Sequence, residues 1–201
     1  VLETRECELE SYWVRETARN EPSARGWWIQ SGCGIGFHTQ LGVGGGRNEA
    51  ASDSISSLAL TGKTALRKLT ETQAGFTLAY SAVGARLPGQ GFKHESTALS
   101  LVVSTPVEKE LLLHGNLGWS RSQSERVNMT TWALALERTD VVEGLDVGAE
   151  IYGDDRAAGA FLGFGARYAV MPEKLFVDFS YARQSAGPRG TFATVGIKIA
   201  F

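Results

Sequence analysis

GTFATVGIKIAF, Gly190 to Phe201, closes the chain, and its reading decides the fold. From Ala193 onward every second residue is apolar: Ala193, Val195, Ile197, Ile199 and Phe201. Between them stand Thr194, Gly196, Lys198 and Ala200, all small or polar. A period of two is the signature of a strand with one greasy face and one wet face.

The same dyad recurs along nearly the whole chain. A first strand of roughly Arg5–Arg15 sets Cys7, Leu9, Ser11 and Trp13 against Glu8, Glu10 and Tyr12. Trp27 to Ile35 and Thr39 to Val43 follow, joined by a tight GFH turn, and the segment GGRNEAASD reads as the next loop. Further alternating runs lie at Leu58–Thr64, Phe76–Ala82, Thr97–Thr105, Leu111–Trp119, Thr130–Leu136, Leu145–Ile151, Leu162–Tyr168 and Leu175–Tyr181. With the terminal strand the count is about twelve, an even number as in bacterial barrels.

An apolar-faced last strand that ends on an aromatic residue resembles the C-terminal targeting signal of Gram-negative outer-membrane β-barrel proteins. The resemblance implies an all-β, single antiparallel up-and-down transmembrane barrel spanning residues 1–201. It also implies that the barrel-insertion machinery reads Phe201, that both termini are periplasmic, and that membrane lipid or lipopolysaccharide surrounds the wall. The start at Val1 without Met reads as a mature form whose signal peptide is gone, although an artificial boundary would look the same.

Composition sets bounds. Only 43% of residues are apolar and the mean hydropathy is -0.11. No run of about 18 apolar residues exists, which excludes a transmembrane helix but not a barrel, whose alternating strands average to neutral hydropathy. Gly at 24 with Pro at 5 suits closely approaching strands. A formal charge of -2 gives no reason to expect nucleic acid as a partner.

Connector lengths and aromatic placement agree with a barrel. Connectors after odd strands, near residues 16–26, 46–53, 84–93, 121–128, 153–159 and 183–190, are mostly longer and more polar than those after even strands. Trp13, Trp27, Trp119, Trp132 and Tyr181 share outward parity near the loop-side ends of their strands, while Tyr168 and Phe201 lie at the opposite ends. Amphipathic rings favour the headgroup level, so two aromatic belts are expected. In a β-sandwich the same rings would fill a core.

Cys7 and Cys33 share outward parity, and their mean position falls at Asn20, near the middle of the intervening loop. They are expected to be cross-strand neighbours joined by a structural disulfide in an oxidising periplasm. Two thiols without a nearby His or third Cys do not make a metal site, and no cofactor motif is present.

The inner parity collects Glu8, Glu10, Glu137, Asp146, Glu150 and Asp178 against Lys63, Arg167 and Lys198. Hairpin arithmetic predicts a ladder of Glu137, Asp146, Arg167 and Asp178 across four neighbouring strands. Barrel closure would bring Lys198 to Glu8 or Glu10. Such a network can act as an electrostatic filter in a pore or as a structural array satisfying buried charge. Small residues fill much of the remaining inner face, leaving a bore that could hold water, a folded-in loop or a segment of another chain.

His114 has inner parity, with Ser100 or Ser104 on the adjacent strand, a pairing that resembles the His–Ser pair of outer-membrane lipid hydrolases. No motif orders a triad or an oxyanion donor. His38 and His94 fall at a turn and a loop edge. The leading expectation is a channel passing small polar solutes by diffusion with a mild cation preference, and no enzyme. The alternative is a scaffold with an occluded lumen that docks a periplasmic, lipoprotein or surface partner in its bore or at its loops.

Overall fold

A computed structural model describes residues 1–19, 22–51 and 53–201. Twelve strands follow in order: β1 (Cys7–Thr17), β2 (Ala24–Gly36), β3 (Thr39–Ala50), β4 (Asp53–Arg67), β5 (Gly75–Arg86), β6 (Lys93–Glu108), β7 (Leu111–Ser122), β8 (Val127–Val142), β9 (Leu145–Asp154), β10 (Phe161–Met171), β11 (Leu175–Gln184) and β12 (Thr191–Ala200). Each pairs antiparallel with its neighbours in sequence, and β12 pairs with β1, so the sheet closes into a barrel. Closure leaves no strand edge with unpaired backbone groups.

The terminal stretch is the closing seam. Its register runs from Thr17↔Thr191 to Glu8↔Ala200 without a break. Phe201 continues it: its N–H donates to the Cys7 carbonyl at 2.9 Å, and its own carbonyl accepts from the Cys7 N–H at 2.8 Å.

Exposure of the greasy face separates barrel from sandwich. Leu58, Leu60, Leu117, Val195 and Ile197 are each at least half exposed, whereas the buried apolar residues are only Val14, Ala59 and Ala182 among the described residues. A sandwich would bury those leucines between two sheets. Here they cover the outside of a closed wall. Burying one such side chain is favourable by roughly 1.5–3 kcal/mol, so a wall of them is stable only against an apolar surrounding such as lipid.

The two rims differ. One carries the connectors 18–23, 51–52, 87–92, 123–126, 155–160 and 185–190; the other carries 37–38, 68–74, 109–110, 143–144 and 172–174. We call these the loop side and the turn side. Positive φ at both Phe37 (51°) and His38 (54°) gives the two-residue turn a twist matching the flanking strands. Bulges at Gly34/Gly36, Ala65/Arg67, Pro106/Glu108 and Ala169/Met171 cluster on the turn-side rim.

One expectation about connectors needs correction. GGRNEAASD is not a loop: β3 and β4 stay paired through Ala50↔Asp53, leaving a two-residue connection. The segment is polar because its outward residues rise above the apolar part of the wall. The longer connectors lie mostly on the loop side, as expected, with 68–74 on the turn side the exception. The expected centre of the first loop, Asn20, lies outside the described residues, as do Glu21 and Ser52.

Candidate functional site

Alternation sends one face of every strand into the bore, and register fixes which inner side chains meet. Arg167 on β10 lies opposite Asp178 on β11 and Asp146 on β9. Its guanidinium grips Asp178 with two bonds, Nε to Oδ1 at 2.6 Å and Nη2 to Oδ2 at 3.2 Å. The Arg167 guanidinium also lies 5.7 Å from the centre of the Phe176 ring. Asp146 turns away: its Oδ1 accepts from the Asp140 backbone N–H at 2.9 Å, closing the β8–β9 hairpin.

Glu137 sits opposite Gly148, not Asp146. Its carboxylate meets Nε2 of His114 at 3.0 Å, while Nδ1 of the same ring is 2.8 Å from the Ser104 hydroxyl. Serine, imidazole and carboxylate thus form a chain across β6, β7 and β8. Ser100, the other candidate partner of His114, points its hydroxyl at the Leu117 carbonyl instead. Backbone N–H groups beside Ser104 belong to the sheet ladder, so a pair of donors for an oxyanion is not offered there.

A third cluster spans the seam. The Lys198 ammonium lies 2.5 Å from Glu8 and 3.5 Å from Glu10. Gln40 donates to Glu8 at 2.6 Å, Gln30 donates to Glu10 at 2.6 Å, and the Trp28 indole donates to Gln30 at 3.2 Å. Glu8 is 7% exposed and is held by partners on two sides. Such pairing offsets the desolvation of the ions.

These clusters all lie in the turn-side half of the bore, on different walls. Sequence reasoning missed the residues that fill the bore near β1–β4. Trp28 lies over Gly44 and Gly46, occupying the space that their missing side chains leave. At Gly34 the Glu3 carbonyl stands where a Cβ would be, and Leu2 donates its N–H to the Gln40 side chain at 3.3 Å. Residues 2–5 therefore enter the turn-side mouth and lie against β2 and β3. The Lys68 ammonium, 2.6 Å from Glu3, holds that carboxyl below its usual range. The parity of Trp28 was visible in the sequence; the inward fold of the first residues had no periodic signal.

Across from β2–β4 the bore is open. A cavity of about 580 Å³ runs along β7–β12 and β1, lined by Glu10, Tyr12, His114, Glu137, Asp146, Glu150, Arg167, Asp178 and Phe192. Five carboxylates face one guanidinium and one imidazole there. Nearer the loop side, Tyr152 and Phe161 stack with ring centres 5.2 Å apart.

On the outside, Cys7 and Cys33 are register partners and are joined by a disulfide. Trp13 and Trp27 face each other across the same two strands. Trp13, Trp27, Trp119, Trp132 and Tyr181 stand outward, exposed, toward the loop side, with Tyr168 and Phe201 exposed toward the turn side. Metal-binding groups of three or more His, Cys, Asp or Glu do not occur among the described residues.

A family model described as "Uncharacterised conserved protein UCP029691" matches residues 1–201. No curated protein matches the chain in sequence. Among solved structures, the KdgM porin in complex with disordered oligogalacturonate superposes with a TM-score of 0.67 at 11% identity, covering 96% of this chain and 99% of that one. The COG4313 outer membrane channel from Pseudomonas putida F1 gives 0.67 at 12%, covering 100% and 97%. The NanC porin gives 0.66 at 11%, covering 95% and 98%. Likeness at such identity shows the fold, that of outer-membrane barrels.

Proposed function

This chain belongs to the family described as uncharacterised conserved protein UCP029691, and we propose that it is a narrow outer-membrane channel passing small polar solutes by diffusion with a mild cation preference. Its place is the Gram-negative outer membrane, with both termini periplasmic. The observation that carries this reading is the open cavity and the charge on its wall. Lys198 is engaged by Glu8 and Glu10, and Arg167 by Asp178, which leaves Glu137, Asp146 and Glu150 as an acidic surplus. Fixed negative charge lining a wet passage favours cations. The same surplus argues against a polyanion such as the oligogalacturonate bound to the KdgM porin.

Planar-bilayer recording under a KCl gradient tests the reading. Unitary steps with a reversal potential on the potassium side are expected. A reversal on the chloride side would remove the cation preference.

One observation favours a second reading, a scaffold with an occluded lumen. Residues 2–5 narrow the turn-side mouth, and Trp28 with the Gln30–Glu10–Lys198–Glu8–Gln40 array fills the adjoining wall. A folded barrel that inserts into bilayers but stays electrically silent would support it.

A further inference from the structure

The outer wall of β3–β5 carries a polar recess above an apolar groove. Arg47, Ser56 and Arg86 are outward register neighbours on three successive strands. With Ser54 and the loop segment 87–90 they line a recess of about 260 Å³ at the loop-side rim. Two guanidiniums and two hydroxyls converge there with no carboxylate among the lining residues, a donor set suited to phosphate oxygens.

Around the recess guanidiniums outnumber carboxylates. Glu49 serves two guanidiniums, Arg47 at 3.3 Å and Arg25 at 3.4 Å. Arg86 has no carboxylate partner among the described residues and lies over the Phe92 ring at 5.4 Å. Arg15 stands directly opposite Arg25 on the neighbouring strand. Like charges placed so are destabilising unless a nearby anion offsets them, and Glu49 is shared between Arg25 and Arg47.

Beneath the recess the same strands turn apolar. Leu58, then Val43, Leu60 and Ala82, continue the outward positions, and a groove of about 690 Å³ opens there, flanked by Tyr80 and Trp119. Trp27 lies beside Arg47 in register, which puts the guanidiniums at headgroup height. A free phosphate ion would use the recess and leave the groove empty; a phosphate-bearing lipid uses both.

We propose that this wall holds one phosphate-bearing membrane lipid, its headgroup between Arg47 and Arg86 and its chains in the groove over Leu60 and Ala82. The inference rests on the membrane reading above. Native mass spectrometry of the whole chain in mild detergent tests it, with diphosphoryl lipid A, its dephosphorylated counterpart and inorganic phosphate as separate probes. The diphosphoryl lipid should be retained about tenfold better than the dephosphorylated one, and Arg47→Gln with Arg86→Gln should lower its retention by about tenfold. Arg183→Gln, outward on β11, should change nothing. Ala82→Trp, which fills the groove, should weaken lipid retention.

Equal retention by the double variant, equal retention of the dephosphorylated lipid, or inorganic phosphate bound as tightly as the lipid would each overturn the site. If the double variant does not fold, Arg86→Gln alone carries the test, since it breaks no ion pair. A wild-type chain that fails to float with liposomes defeats the membrane reading and this site with it. One that floats yet retains no phosphorylated lipid defeats the site alone.

Discussion

Replacing Asp178 by Asn turns a neutral ion pair in the bore into a lone guanidinium. In the wild type, both oxygens of Asp178 are taken by Arg167, at 2.6 and 3.2 Å, so the pair adds little net field. Removing the carboxylate's charge shifts the wall by one positive unit, whichever neighbour Arg167 then turns toward. At about 8 Å from a permeating ion in water, a unit charge contributes about 0.5 kcal/mol. The effect has opposite sign for potassium and chloride, so their difference is about 1 kcal/mol, roughly a fivefold change in permeability ratio before screening. With a Debye length of about 10 Å at 0.1 M salt the change falls to about twofold; at 0.01 M it recovers to about fourfold. Reversal potentials in planar bilayers at the two salt concentrations measure it. Arg167→Gln should move the ratio the other way by a similar factor, and the double variant should return near wild type. A shift that ignores salt, or a double variant that does not cancel, would refute the claim that this pair borders the ion path.

Three further outcomes are expected. Replacing Cys7 and Cys33 together by Ala should destabilise the barrel by about 3–4 kcal/mol, from the loop entropy of a 26-residue separation, read as a lower urea midpoint in the heat-modifiability gel shift. Leu60→Arg, on the lipid-facing wall where Leu60 is 64% exposed, should cost about 2–4 kcal/mol in refolding into bilayers, while Ser81→Arg on the inner face of the next strand should cost much less. His114→Ala should leave background ester hydrolysis unchanged, because no oxyanion donors face Ser104; a lost activity would make the Ser104–His114–Glu137 chain an active site.

Much of the fold was legible because parity and hairpin numbering are both local. Cys7 and Cys33 sum to the same number as Trp13 and Trp27, so one turn centre fixes the whole β1–β2 register. Arg167 and Asp178 are related in the same way across β10 and β11. Arithmetic of this kind ends where a bulge intervenes. Between Arg138 and Val142 the β8–β9 pairing shifts, so Glu137 meets Gly148 and its carboxylate is left for His114. The cap that Asp146 makes on the Asp140 N–H is likewise a matter of turn geometry. GGRNEAASD misled because composition marks where the wall leaves the apolar zone, and the strands do not end there.

Inner glycine was a poorer guide to open space than inner charge. A glycine in a barrel wall leaves room only if no neighbour takes it, and large side chains on adjacent strands are drawn into such gaps because they bury apolar surface there. Trp28 does this over Gly44 and Gly46, and the Glu150 side chain leans over Gly163. The glycine-rich strands β2 and β3 are therefore the filled side of the bore, closed further by residues 2–5. The open cavity lies instead along β7–β12, beside a wall that carries the carboxylates Glu137, Asp146, Glu150 and Asp178. On the channel reading proposed above, that wall sets the ion selectivity. An Ala at Trp28 should widen the conductance while leaving the sign of the selectivity as it was, since the charges that set it stand on the opposite strands.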